Sequence, residues 1–385
     1  MVGQVRRQKL TTTETGHEDL QAFRAKASEW LEANVDEQWR RHRGALSEED
    51  QTRLRREWDH KLYEGGYSGL SLPRAFGGQG LGVAEEVAFG ELAARAQAPD
   101  GMARIGKILT APTLIAHGTD WQKDTYLRPI IEGQHVWCQG FSEPGSGSDL
   151  ASVRCSAKPV DGGYLIKGTK TWTSFSRQAH HCLVLARTGD PDARHRNLSL
   201  FLVDMSQPGI TLEPIRQISG TSHFTETHFD EVFVSEKDRV GAENDGWRMA
   251  MTVLVNERGT VEAMARYVEI RADLDALREC CAKDSVPAAT FDRLDARTEL
   301  IRWQVSKAVS RIDDGPAYDA ASMGLKVSWS ELWQEIVGLA ARTQCPRHRA
   351  HWRFQYLEIR SATIYSGTSE IQRNIVAERV LGLPR

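Results

Sequence analysis

The sequence predicts an α+β chain of several domains: an N-terminal α-helical domain (1–133), a central antiparallel β-barrel or sandwich (134–240) and a C-terminal helical bundle (241–385). Three observations predict it. Apolar residues recur at three- and four-residue spacing on both sides of a middle stretch, and that stretch reads as short β-like runs with turn punctuation. No helical segment separates those runs, which argues against a doubly wound parallel sheet. The length agrees, since 385 residues suggest two or three domains at roughly 150 residues each. A chain of this size buries about three-quarters of its unfolded surface and needs no disulfide or metal staple.

In the first block, Leu20, Phe23, Ala27, Trp30 and Leu31 form one apolar helix face, and Ser47-Glu48-Glu49-Asp50 reads as a helix start with carboxylates complementing the dipole. A connection from Gly65 to Gly82 interrupts the pattern, which resumes over Val83–Ala94 and Ile108–Ile131. In the second block, Asp161-Gly162-Gly163 joins Val153–Val160 to Tyr164–Thr173 as a hairpin, because glycine supplies the positive φ a tight turn requires. Cys182–Ala186, Leu198–Val203, Ile210–Ile215 and Thr227–Val234 are further strands. In the third, Trp247–Cys281 reads as one long helix, Phe291–Ile312 and Ala317–Arg342 as two more, and a last pair follows Pro346 from Trp352 to Leu381.

The balance of 49 basic and 52 acidic side chains argues against a dedicated nucleic-acid binder, whose affinity comes from neutralising phosphates. No run approaches the 18 or so apolar residues of a membrane span, and the basic N-terminus leads into threonines and glutamates instead of a secretory core. Six cysteines without a CxxC pair read as reduced thiols in a cytoplasmic protein.

Three segments carry chemistry. In Gly140-Phe141-Ser142-Glu143-Pro144-Gly145-Ser146-Gly147-Ser148-Asp149, glycines beside serines let successive N–H groups face one concavity suited to phosphate oxygens. In Lys170-Thr171-Trp172-Thr173-Ser174, a flat indole is followed two residues on by a hydroxyl, which suits an aromatic cofactor. In Tyr365-Ser366-Gly367-Thr368-Ser369-Glu370-Ile371-Gln372, Ser369 with Gln372 fits a capping box, so a helix starts there with its N–H groups toward a ligand.

Together, in this order, the segments resemble the acyl-CoA dehydrogenase family, in particular its bacterial branch, over nearly the whole chain. The resemblance implies a helical domain, a β-barrel and a four-helix bundle, with FAD held between barrel and bundle. Carried over position by position, Phe141, Ser142, Gly147 and Ser148 would line the flavin ring and pyrophosphate, with Ser148 also near the thioester. Trp172 would pack on the isoalloxazine with Ser174 at its polar edge, Thr368 and Glu370 would touch the flavin from the bundle side, and Tyr365 and Gly367 would line the substrate. It further implies an acyl thioester substrate, on coenzyme A or a carrier protein, an electron-transfer flavoprotein or similar acceptor, and a homo- or hetero-oligomer formed through the bundle.

The chain also departs from the family's pattern. Where many members keep a catalytic glutamate before Gly-Thr, this one has Ser366, whose hydroxyl cannot serve as the base but whose backbone N–H remains for the thioester oxygen. A substitute is visible in Glu257. It is the polar member of the stripe Ala250, Leu254, Glu257, Val261, Met264 and Val268, and a carboxylate on an apolar stripe tends toward a raised pKa. Some relatives place their base here, before an arginine as in Glu257-Arg258, and Arg258 would reach the pantetheine end of the ligand. The other reading is a salt-bridged helix carboxylate paired with Arg258 or Arg297. Two elements that hold the adenine end of FAD across subunits are missing: Tyr267-Val268-Glu269-Ile270-Arg271 follows Arg266, and Ala340–Pro346 stands in place of the other. Two competing readings follow, a catalytically silent partner subunit of a heteromeric dehydrogenase and a flavin oxidase or monooxygenase on the same fold. Gly77–Gly82 reads as a loop and His180-His181 as a strand-edge pair without a metal.

Overall fold

The computed structural model describes residues 17–42, 44, 46–256, 259–281, 286–343 and 348–384. Helices α1 (His17–Asn34), α2 (Glu37–His42), α3 (Glu48–Glu64), α4 (Val83–Arg95), α5 (Ala111–His117) and α6 (Asp120–Ile131) come first. Ser47 caps α3 by accepting from the Asp50 N–H at 3.1 Å, and Ala27 and Leu31 of the expected α1 face are buried with Trp58 and Phe89. The Gly77–Gly82 stretch is a loop, as its lack of a preceding strand implies.

Eight strands follow: β1 (Trp137–Gly140), β2 (Ser156–Val160), β3 (Gly163–Ser174), β4 (His181–Arg187), β5 (Leu198–Asp204), β6 (Ile210–Ile215), β7 (Phe224–Ser235) and β8 (Arg239–Val240). The β2–β3 hairpin turns at Gly162, φ 73°. The strand order is β6-β7-β3-β2-β4-β5-β8, with β1 beside β4, and the sheet does not close into a barrel. Nor is it wholly antiparallel: β1 pairs with β4 in parallel, and β2 meets β4 in parallel through Ser156 and Arg187. The hairpin between β1 and β4 provides the long crossover that a parallel pair needs. Strands β4 and β5 are buried on both faces. Leu183, Leu185, Leu198, Leu200 and Leu202 pack toward α5 and α6, while Val184, Ala186, Phe201 and Val203 pack toward Tyr164, Phe229 and Val232.

Helices α7 (Gly246–Asn256), α8 (Thr260–Cys280), α9 (Ala288–Val309), α10 (Gly315–Ser322), α11 (Leu325–Thr343), α12 (Arg349–Glu358) and α13 (Ser369–Arg379) complete the chain. Ile270, Leu274, Ile301, Leu332, Ile336 and Trp352 form the bundle core, to which Val87 of α4 adds. The single helix expected over Trp247–Cys281 is two: α7 ends at Asn256, and α8 starts after an extended Gly259 (ψ 161°). Leaving helical backbone at Gly259 breaks the continuous apolar stripe that the spacing suggested. The helix expected over Ala317–Arg342 also divides, at Gly324 with φ 90°, a conformation that costs glycine little. Cys280 is disulfide-bonded, so the thiols are not all reduced; Cys138, Cys155, Cys182 and Cys281 are free, and Cys345 lies outside the described residues. Among the described residues no helix is long and apolar enough to cross a membrane.

Candidate active site

The Gly140–Asp149 loop and the Trp172 segment are brought together by one buried side chain. Lys170, fully buried on β3, donates its Nζ to the Phe141 carbonyl (3.0 Å) and to Glu143 Oε1 (2.8 Å). Glu143 also accepts the backbone N–H groups of Arg154 (2.7 Å) and Cys155 (2.8 Å), so its charge is met from several directions. The Thr171 N–H then donates to the Ser142 carbonyl at 2.9 Å, lacing strand to loop. Within the loop, Glu143 and Ser146 exchange backbone hydrogen bonds of 2.8 and 3.0 Å around Pro144 and Gly145. Gly147 and Ser148 are exposed, and a Cβ built on Gly147 meets no atom within 4 Å. Phe141 turns its ring into the core at 5% exposure and leaves its carbonyl to Lys170.

Trp172 sits in a register shift of the β3–β7 pairing with φ 58° and leaves 56% of its surface exposed, edge-on to Phe224 with centroids 6.0 Å apart. A left-handed backbone at a bulky residue is uncommon, and the bulge re-aims the side chain out of the sheet. Ser174, half-buried, follows opposite Phe224, and Phe175 is again left-handed at φ 56°. A mostly exposed indole beside an open glycine–serine loop is the surface a flavin requires, apolar for its ring and rich in small polar groups for its phosphates.

On the bundle side a second buried lysine organises the loop before α13. Lys326 on α11, at 7% exposure, donates to the carbonyls of Ala362 and Gly367, both at 2.9 Å. Ser366 (φ 53°) and Gly367 (φ 85°) are both left-handed, and Gln372 Nε2 donates to the Ser366 carbonyl at 2.9 Å. The capping differs from the sequence expectation. Thr368 is the N-cap, its Oγ1 accepting the Ile371 N–H at 3.2 Å, while the Ser369 hydroxyl is buried with no hydrogen-bond partner among the described residues. Ser369 already belongs to the helix, so Gln372 reaches back to the loop instead of to a cap. Glu370 is exposed, with its carboxyl held below the usual range by its own backbone N–H and the Thr368 hydroxyl.

Ser366 and Tyr365 line a narrow cleft with Gly259, Glu262, Lys326 and Trp329. Burial pushes the Tyr365 hydroxyl up to about 12. Glu262 is ion-paired with Arg266 (3.4 Å) and Arg104 (3.7 Å), and Arg266 also meets Glu269 (2.7 Å) while lying over Trp329 and Trp333. Glu257 and Arg258 lie outside the described residues. Arg297, the alternative partner for Glu257, is instead ion-paired with Glu335 of α11. His180 Nδ1 accepts the Val136 N–H at 2.9 Å, and His181 packs on Trp137 with its imidazole lowered to about 4 by burial.

Sequence reasoning quoted Lys170 and Glu143 within their motifs without giving them roles, and missed Lys326, Glu262 and Arg104. An acid in one motif and a base in the other was a readable sign of a pair. Lys326 offered no such sign, because its acceptors are carbonyls.

Comparison with known proteins fits this geometry. Models of the acyl-CoA dehydrogenase N-terminal, middle and C-terminal domains match residues 17–134, 138–232 and 244–381. The acyl-CoA dehydrogenase IpdE1 of Mycobacterium tuberculosis is 38% identical over 381 residues, covering 96% of this chain and 99% of that protein. IpdE1 of Mycolicibacterium smegmatis is 37% identical over 387 residues, covering 95% and 98%. The crystal structure of the ChsE4-ChsE5 complex from Mycobacterium tuberculosis superposes with a TM-score of 0.81 at 26% identity, covering 95% of this chain and 98% of that one. The chain belongs to the acyl-CoA dehydrogenase family, FAD-dependent oxidoreductases that act on the CH–CH bond of acyl-CoA.

Proposed function

We propose that the protein introduces an α,β double bond into an acyl thioester with Glu257 as the base. The observation that supports this reading is the cleft shared by Gly259, Tyr365 and Ser366. It sets the loop that lacks the family's usual glutamate beside the start of α8, two residues along the chain from Glu257. Glu257 takes the α-proton, and the Ser366 backbone N–H stabilises the developing negative charge on the thioester oxygen. A single such donor is worth about 3–4 kcal/mol in the transition state. Arg258 holds the pantetheine end of the ligand. Bound FAD supplies the acceptor for the β-hydride. Phe141, Ser142, Gly147, Ser148, Trp172, Ser174, Thr368 and Glu370 are the residues that would hold it, Phe141 through its backbone. An electron-transfer flavoprotein or similar acceptor removes the electrons.

The protein acts as an oligomer built through its bundle, where Leu300 (55%) and Trp303 (61%) stand exposed on α9. A heteromer is the favoured form, because the chain lacks the two elements that complete the adenine end of the flavin site and its structural relatives include a complex of two different chains. Anaerobic titration of the purified flavoprotein with acyl-CoA thioesters tests the reading. Bleaching of the flavin band supports it, and no bleaching with any thioester favours an oxidase or monooxygenase.

A further inference from the structure

We propose that the acyl chain this protein accepts carries an oxygen acceptor of its own, a carboxylate, seated by Arg55 and Arg104 where a plain alkyl chain would need an apolar sleeve. The inference rests on the dehydrogenase reading and narrows its substrate. A second, shallow cleft opens where α3 meets the end of the Trp172 segment, and Arg55, Met102, Phe175 and His223 line it. Arg55 is stacked between the rings of Trp39 (5.5 Å) and Phe175 (5.4 Å), and its buried Nε has no hydrogen-bond partner among the described residues. Among the described residues it makes no ion pair, whereas the cleft's other arginine, Arg177, is already joined to Glu48. Burial and the neighbouring Arg55 keep the His223 imidazole below its ordinary value, so at neutral pH it adds no positive charge.

From Arg55 a line of charge runs to the Ser366 cleft. Burial would raise the Asp100 carboxyl, but Arg104, Arg266 and Arg55 hold it below the usual range. Arg104 in turn feels Glu262, Asp100, Arg266 and Tyr365, and 39% of its side chain stays accessible. Met102, which lines this second cleft, sits between Asp100 and Arg104 in the chain. An alkyl group laid along this line would strip water from guanidinium and carboxylate groups and return no acceptor. A carboxylate would give Arg55 a two-pronged partner between two aromatic faces that already hold its plane. Arg104, whose contact with Glu262 is long at 3.7 Å, is placed to share it.

The test is calorimetric binding of two thioesters of equal chain length to the flavin-loaded protein in its purified oligomeric complex, octanoyl-CoA and its terminal-carboxylate counterpart suberyl-CoA, with anaerobic bleaching by each recorded in parallel. Suberyl-CoA is expected to bind at least about tenfold more tightly, as a charge-assisted pair would give. Arg55→Leu is expected to shrink that preference to threefold or less, and Arg55→Lys, which keeps charge and stem, to retain part of it. Equal or tighter binding of octanoyl-CoA by the unaltered protein overturns the proposal while leaving the dehydrogenase reading intact. A preference that survives in Arg55→Leu overturns the role of Arg55. Failure of suberyl-CoA to bind overturns this inference; the dehydrogenase reading falls only if no acyl thioester bleaches the flavin.

Discussion

In the sequence Glu257 precedes Gly259 and Glu262 follows it. Both oxygens of Glu262 are engaged, by Arg266 and Arg104, and the side chain serves to arrange charge around the cleft. Glu257→Gln is therefore expected to keep its flavin and lose turnover by about 10² or more, while Glu262→Gln loses less than about tenfold. Steady-state turnover with the flavin content of each variant checks this, and near-normal turnover in Glu257→Gln removes that residue from the chemistry. Lys170 is the other residue on which much depends. Its ammonium is fully buried against Glu143, and removing one partner of a buried pair costs about 3–5 kcal/mol. Lys170→Met should show that loss in denaturant unfolding, together with weaker flavin retention. Trp172→Ala should loosen flavin binding by about tenfold without comparable loss of stability, because the indole is mostly exposed. Of the site, the sequence made legible the residues whose type announces their use, such as the glycine–serine loop and the indole beside a hydroxyl. It left illegible the groups that act by position, such as Lys326, since nothing local marks which carbonyls a lysine will meet.

Among the elements, the strands were readable as short runs between turn signals; β4 and β5 send neighbouring residues into two different cores, so their sequences are nearly continuous apolar runs. Helix ends were harder to read. Residues 247–281 keep helical spacing across Gly259, so periodicity alone could not show that the backbone there is extended. The parallel pairing of β1 with β4 was hidden because it joins residues 44 positions apart in the chain, as Cys138 opposite Cys182. Helices α8, α9 and α11 are further tied by carboxylates. Asp295 of α9 meets Arg271 and Arg278 of α8, and Glu335 of α11 meets Arg293 and Arg297 of α9. Burial opposes ionisation of Asp295 but its two arginines lower its carboxyl, and Arg293 lowers that of Glu335. Depressed carboxyls contribute stability that is complete above their ordinary values, 3.8 and 4.5, and fades as pH falls through the lower folded ones. Melting temperature is thus expected to drop below about pH 4.5, and the combined Asp295→Asn, Glu335→Gln variant to show a shallower drop from a lower starting point. Equal slopes in the two proteins would exclude these carboxylates as the cause.

At the scale of the whole molecule, three blocks converge on one region: α3 and the Asp100–Arg104 stretch from the first, the Trp172 segment from the second, and the Tyr365–Gly367 loop with α8 from the third. Assembly decides whether that region is complete in one chain. Protein purified alone is expected to carry little flavin, and co-purification with a second dehydrogenase chain to give a yellow, reducible complex. A yellow, fully active homo-oligomer would rule out the heteromer. The two clamping lysines also bear on how such a protein survives its own substrates. Thioesters acylate free amines, and a lysine lining a thioester site is the amine most often presented to one. Here Lys170 and Lys326 are almost wholly buried, and each spends its ammonium hydrogens on oxygens of the chain. Burial and these hydrogen bonds shield the two amines from being acylated by the compounds this fold is built to handle.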